Sequence, residues 1–256
     1  MVNRSDRKAV LITGGAIRLG KTIALHFASI GYDVAIHYRS SNKEASQTVK
    51  EITNLGVKSK KFKLDLANSG KLESLVKDVT KHFPNLSVLI NSASFYKSGR
   101  ILQTDLETFT TLHKVNVVAP FFLTKAFAKY CRNGSIINIL DNKIGFNQFH
   151  YSAYLLSRKF VADLVKIAAL EFAPGIRVNG IAPGIILPGE TRNSEYKSWR
   201  LKSIPLGRQG DAINVIQAIN YLLSNTYVTG QILFVDGGET IRHLGQNDLL
   251  FDERYK

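Results

Sequence analysis

The sequence is poor in cysteine. It has one, Cys131, in 256 residues, so no disulfide can form within the chain and nothing calls for an oxidising compartment. It lacks any run of about 18 apolar residues, which excludes a helical membrane span. Its polar first residues lead into a strand-like segment without an apolar leader core, so no secretory signal is expected and the expected location is cytoplasmic. Acidic residues are scarce beside basic ones, 20 against 34, leaving a formal net charge of +14. That balance favours anionic partners. The Lys and Arg residues are scattered, however, with no run of five and no basic strip interleaved with aromatics, so neither nucleic acid nor membrane is expected as a partner.

What is present is an alternation. Short apolar runs at 8–13 (KAVLIT), 33–37 (DVAIH), 60–64, 87–91 (SVLIN), 135–140 (SIINIL), 177–181 and 231–235 (QILFV) read as strands. Segments of helical period lie between them at 19–29, 43–54, 71–82, 106–115, 119–130, 153–172 and 212–223. Strand and helix in turn imply an α/β fold: a doubly wound parallel seven-stranded Rossmann-type sheet, helices on both faces, in a single domain over 1–256. The tail from about 239 has weak periodicity and is expected to be mobile. Such sheets bind ligands beyond the carboxyl ends of their strands, so the chemistry is sought there.

After the first strand comes TGGAIRLG (13–20), where Gly14 and Gly20 frame a strand-to-helix turn. Glycines there let a pyrophosphate approach the free N–H groups of a helix start. Over its whole length the chain resembles the short-chain dehydrogenase/reductase family. That family's T-G-x-x-x-G-x-G is here T-G-x-x-x-Arg18-x-G, and an Arg at that place resembles the pteridine reductases within the family. The second strand ends in His37, Tyr38, Arg39 and Ser40, with no carboxylate for a ribose diol. Arg39 and the Ser40 hydroxyl suit a 2′-phosphate, with Arg18 in reach, so NADP(H) is the expected cofactor. The resemblance further implies that Leu19, Asp65 and Leu66 line the cofactor, Asp65 against adenine. It implies the same of Asn91, Ser92 and Ala93, which stand for the family's N-N-A-G with Ser94 in the last place, and of Pro183 and Gly184 after strand six. Segment 185–197 would be a flexible substrate lid.

Reduction needs a hydride and a proton. A phenol, ordinarily near 10, is a poor acid unless a cation lowers it. The family meets this with Tyr and Lys four residues apart on one helix face. Tyr154 holds the first place, but the lysine place holds Arg158, which stays charged and cannot shuttle a proton; Lys159 points about 100° away. Asn116 matches the family's helix Asn, which supports a water in a proton chain. Asp141 stands where the family has Ser, again like the pteridine reductases. Beside Tyr154 its carboxyl is expected to be pushed up, so that it can hold a proton for a pterin nitrogen. Ser94 and Phe95 would bind substrate, Phe95 by stacking a flat pterin.

The resemblance thus implies an NADPH-dependent pteridine reductase acting on dihydropterin or dihydrofolate substrates, and a homotetramer. A 3-oxoacyl-carrier-protein reductase is the alternative within the family. A non-catalytic NADP-binding protein is the alternative of another class, because of Arg158.

Overall fold

Apolar runs flanked by helical segments bury both of their faces, and here they form one parallel sheet. The computed structural model describes residues 7–186, 194–242 and 248–254. The strands are β1 Ala9–Thr13, β2 Asp33–Tyr38, β3 Ser59–Lys63, β4 Leu86–Asn91, β5 Gly134–Ile139, β6 Ile176–Pro183 and β7 Ile232–Val235. Their order is β3-β2-β1-β4-β5-β6-β7, and every pairing is parallel. The sheet reverses its winding between β1 and β4, which opens a crevice at their carboxyl ends.

The helices are α1 Arg18–Ser29, α2 Asn42–Asn54, α3 Leu72–His82, α4 Leu106–His113, α5 Ala119–Tyr130, α6 Ser152–Phe172, α7 Ser194–Leu201, α8 Ala212–Ser224, α9 Glu239–Arg242 and α10 Asp248–Arg254. Strand alternation divides the core in two. On β1, Val10 and Ile12 pack with Phe27 of α1 and Ile219 of α8. Ala9 and Leu11 face the other way, onto Leu75 of α3, Leu123 of α5 and Leu164 of α6.

Three features depart from the pattern read in the sequence. The helix expected over 106–115 becomes α4, then a π turn Lys114–Val118 that runs into α5. The segment after β6 contains α7, while residues 187–193 of the expected lid lie outside the described residues. Beyond Gly238 the chain forms α9 and α10, and Glu239 is fully buried. Among the described residues no helix is long and apolar enough to cross a membrane, and no group of His, Cys, Asp or Glu could hold a metal.

Candidate active site

The loop after β1 is fixed from three sides. Thr13 Oγ1 accepts from the backbone N–H of Ser92 and of Ala93, each at 3.0 Å, tying the β1 and β4 ends together. Gly14 has φ +67°, and a Cβ there would come 3.2 Å from Ala93 Cα. A Cβ at Gly20 would drive into the Gly14 carbonyl oxygen. Only glycine fits where the loop folds back on α1. The first turn of α1 has no side-chain cap, which leaves N–H groups of the helix start without an intrahelical partner. Arg18 stands where the family fingerprint has Gly and keeps the glycine conformation, φ 51°, a backbone strain of about 1 kcal/mol.

His37 is 2% exposed. Its Nδ1 accepts from Gly14 N at 3.3 Å and its Nε2 donates to Leu64 O at 2.9 Å. The ring thus ties the glycine loop to the chain just past β3, and burial pushes the imidazole down to about 4. The neutral ring is therefore the native form, and the native state binds fewer protons than the unfolded chain between 6.5 and about 4. Stability from this group is present above 6.5 and lost as pH falls through about 4, up to about 3 kcal/mol. We expect the melting temperature of the His37→Gln variant to fall less steeply than wild type over that window. Equal slopes would remove His37 from the acid response.

Arg39 and Ser40 are exposed at the β2 end. Tyr38 is turned inward, donating to Asn42 Oδ1 at 2.7 Å. Exposed Asp65 accepts from Ala67 N at 3.0 Å and shapes its own turn, while Leu66 is buried. Asn91 pairs across the sheet with Asn138 at 3.0 Å. Pro183 ends β6, and Gly184 passes so close to Asp236 that a Cβ would meet its Cα at 2.9 Å.

The catalytic candidates converge beside this crevice. Tyr154, in the first turn of α6, is 4% exposed and donates from Oη to Asp141 Oδ2 at 2.9 Å. Asp141 caps the 3-10 turn Asn142–Gly145, accepting from Lys143 N at 2.9 Å. The loop before α4 is stitched to the start of α6: Gly99 N donates to His150 O at 2.7 Å and Ser152 N to Gly99 O at 3.1 Å. This brings the Tyr96 ring edge-on to Tyr154, 4.7 Å between centroids. Tyr96 is 50% exposed. Phe95 is partly buried against Leu112, Tyr151, Ala153 and Tyr154.

Asn116 sits in the π turn, a form common at functional sites. Its side chain clamps the backbone of Phe95, accepting from Phe95 N and donating to Phe95 O, both at 2.8 Å. Arg158 is 3% exposed, and its guanidinium carbon lies 5.3 Å from the Tyr154 ring centroid. One Nη donates to Ser94 Oγ, and to Asn116 Oδ1 at 3.4 Å; its buried Nε has no partner. The side chain expected to bind substrate, Ser94, is thus the partner of the side chain in the lysine place. Lys159 turns away and donates to Asn147.

The electrostatics do not follow the expectation that the guanidinium makes Tyr154 acidic. Burial first, then the Asp141 charge, push the phenol up to about 12, against a smaller downward pull from Arg158 and Lys143.

Lys143 was not among the residues read from the sequence. Its Nζ faces Asp141 Oδ2 at 3.7 Å and lies 5.5 Å from the Tyr96 and Tyr151 ring centroids. A lysine four residues past a strand reads as a surface charge, so no pattern flags it. Also unforeseen is a buried ion pair, Arg200 of α7 with Glu239 of α9. Asn142 donates to Glu239 Oε2 at 2.9 Å, which links the pair to the turn that carries Asp141.

A crevice at the switch point of a doubly wound sheet, with a phenol and a buried cation beside it, defines a dinucleotide-type oxidoreductase. Residues 15–240 match the family described as Enoyl-(Acyl carrier protein) reductase, adh_short_C2, and the chain belongs to the short-chain dehydrogenase/reductase family. The 3-oxoacyl-[acyl-carrier-protein] reductase FabG of Staphylococcus aureus is 31% identical over 239 residues, 90% of this chain and 97% of that protein. The crystal structure of FolM Alternative dihydrofolate reductase 1 from Brucella suis in complex with NADP matches with a TM-score of 0.87 and 29% identity, covering 93% of this chain and 96% of that one. The same protein from Brucella canis, also with NADP, matches at 0.86 and 28%, covering 93% and 96%.

Proposed function

We propose that the chain is an NADPH-dependent reductase of the pteridine type, acting on dihydropterin or dihydrofolate substrates. The observation that carries this reading is the Tyr154–Asp141 hydrogen bond of 2.9 Å. A carboxylate at that place repels the oxyanion that develops when a carbonyl is reduced, whereas it supports protonation of a ring nitrogen.

The residues present fit NADP(H). The glycine cradle and uncapped α1 start would take the pyrophosphate, and Arg18, Arg39 and Ser40 the 2′-phosphate. Asp65 and Leu66 would border the adenine, and Asn91 to Ala93, Pro183 and Gly184 the nicotinamide half. The buried, unpartnered Arg158 Nε is a donor that needs an acceptor, and a ribose hydroxyl supplies one. When bound, the cofactor supplies a hydride. Tyr154 gives the proton, Asp141 orients its hydroxyl, and Phe95 and Tyr96 offer aromatic surface to a flat substrate. Asn116 holds Phe95 in place. The NADP held by the FolM structures supports the same cofactor here.

Exposed apolar side chains on α5 (Phe121 and Phe122) and on α6 (Phe160, Ile167 and Leu170) support association of copies through that face, as in a homotetramer. The free, buried Cys131, whose thiol burial pushes up to about 11, suits a reducing cytoplasm.

A carrier-protein reductase is the second reading, favoured by the FabG relatives. The two part on one experiment: NADPH oxidation with dihydrobiopterin, dihydrofolate and an acetoacetyl thioester, with sedimentation of the same preparation. We expect turnover on the first two and a mass several times that of one chain. Turnover confined to the thioester overturns the proposal.

A further inference from the structure

The lysine place of the family pattern holds a guanidinium, which stays charged at any working pH. Arg158 can compensate charge beside Tyr154, but it has no proton to give. Yet each reduction leaves Tyr154 as a phenolate that must be reloaded, and a buried phenol pushed up to about 12 makes a strongly basic phenolate.

Beside the Tyr154–Asp141 pair stands Lys143. Its ammonium faces Asp141 Oδ2 at 3.7 Å, and the same oxygen accepts the Tyr154 hydroxyl at 2.9 Å. Its side chain is 12% exposed, so it is enclosed but not sealed. The charged and titratable groups around it are Asp141, Tyr154 and Tyr151, Arg200 of α7, and the half-exposed Tyr96 ring. Burial disfavours its charge, but the Asp141 carboxylate and the two phenols outweigh this, and the ammonium is held above the usual lysine range.

We propose that Lys143 reloads the proton donor, acting through Asp141 in place of the exchangeable cation that Arg158 cannot be. This rests on the reading of Tyr154 as proton donor. In the step, Tyr154 gives its proton to the substrate nitrogen and becomes a phenolate. The ammonium closes on Asp141 Oδ2 by somewhat under an ångström to hydrogen-bond length. A proton passes from Lys143 Nζ to Asp141 Oδ2 and from Asp141 to Tyr154 Oη. An N–H bond breaks at Lys143, an O–H bond forms at Tyr154, and Asp141 ends as it began. No electrons move, and neutral Lys143 takes a proton from water through its exposed edge. Lys143 does not touch the substrate and is a positioning residue for the proton.

The test compares wild type with Lys143→Arg, which keeps the charge without the labile proton, and Lys143→Met, which keeps the bulk without the charge. Rapid mixing of NADPH-loaded enzyme with dihydrobiopterin reads the first turnover apart from the steady state. Both variants are expected to complete the first turnover within about three-fold of wild type, because Tyr154 starts protonated, and then to cycle at least about ten-fold more slowly. NADPH affinity, read by fluorescence, is expected to stay within about two-fold in both. Wild-type steady-state turnover in Lys143→Arg overturns the proposal, since charge alone would then suffice. Slowing of the first turnover in step with the rest, or loss of NADPH affinity, also overturns it, because Lys143 would then be holding the site together. If wild type reduces only the acetoacetyl thioester, the pteridine reading falls, and the same comparison on that acceptor still decides the role of Lys143.

Discussion

Tyr154→Phe is expected to lower turnover by about 10²–10⁴-fold, the usual worth of a positioned general acid, while NADPH affinity and folding hold. The ring keeps its packing on the Phe95 cluster and under Arg158, so only the hydroxyl is lost. The phenol is pushed up to about 12, so it is protonated at every working pH. No alkaline loss of reduction rate should therefore trace to Tyr154 until that range. The native phenol also keeps its proton where the unfolded one, near 10, has lost it. Its contribution to stability is present below 10 and is lost as pH rises through about 12. Turnover of the Phe variant within a few-fold of wild type would give the proton to another group.

The largest stability effect is expected at Glu239, whose carboxylate is fully buried against Arg200, itself 4% exposed. Glu239→Ala leaves the guanidinium in the interior without a counter-charge and should cost about 3–5 kcal/mol. Ser203 Oγ, 2.7 Å from Arg200 Nη, offers a dipole but no charge. Because Asn142 donates to Glu239, the loss should also loosen the turn that carries Asp141 and lower turnover. The double variant Glu239→Leu with Arg200→Met should recover most of the stability, since the pair is replaced by apolar volume. Denaturant titration of wild type and both variants reads the stability; a single-variant loss below about 1 kcal/mol would show the guanidinium finding water.

The sheet was legible because parallel strands bury both faces and so read as unbroken apolar runs, as at β1, β2 and β4. The glycine turn was legible because it follows a strand and opens a helix, and the meeting of Tyr154 with Asp141 because both stand in places of the family pattern that the chain resembles. What was hidden depends on contacts distant in sequence. His37 sits at a strand end among cofactor candidates, but its ring points into the protein, where Leu64 and Gly14 take both nitrogens. The π turn under Asn116 is one residue of excess inside a helical pattern and leaves no mark in the period. Helix α7 has mixed polarity, and what fixes Arg200 lies 39 residues on. Lys143 reads as solvent-facing until the Tyr96 and Tyr151 rings enclose it.

Two departures from the family pattern, Ser94 in a glycine place and Arg158 in a lysine place, meet across 64 residues in one hydrogen bond. They therefore behave as a compensatory pair. Ser94→Gly alone leaves that guanidinium nitrogen only its longer bond to Asn116 Oδ1, at 3.4 Å, while Arg158→Lys takes from the exposed Ser94 hydroxyl its partner in the protein. The two positions are therefore expected to be energetically coupled, so that the effect of exchanging both toward the family pattern differs from the sum of the two single exchanges.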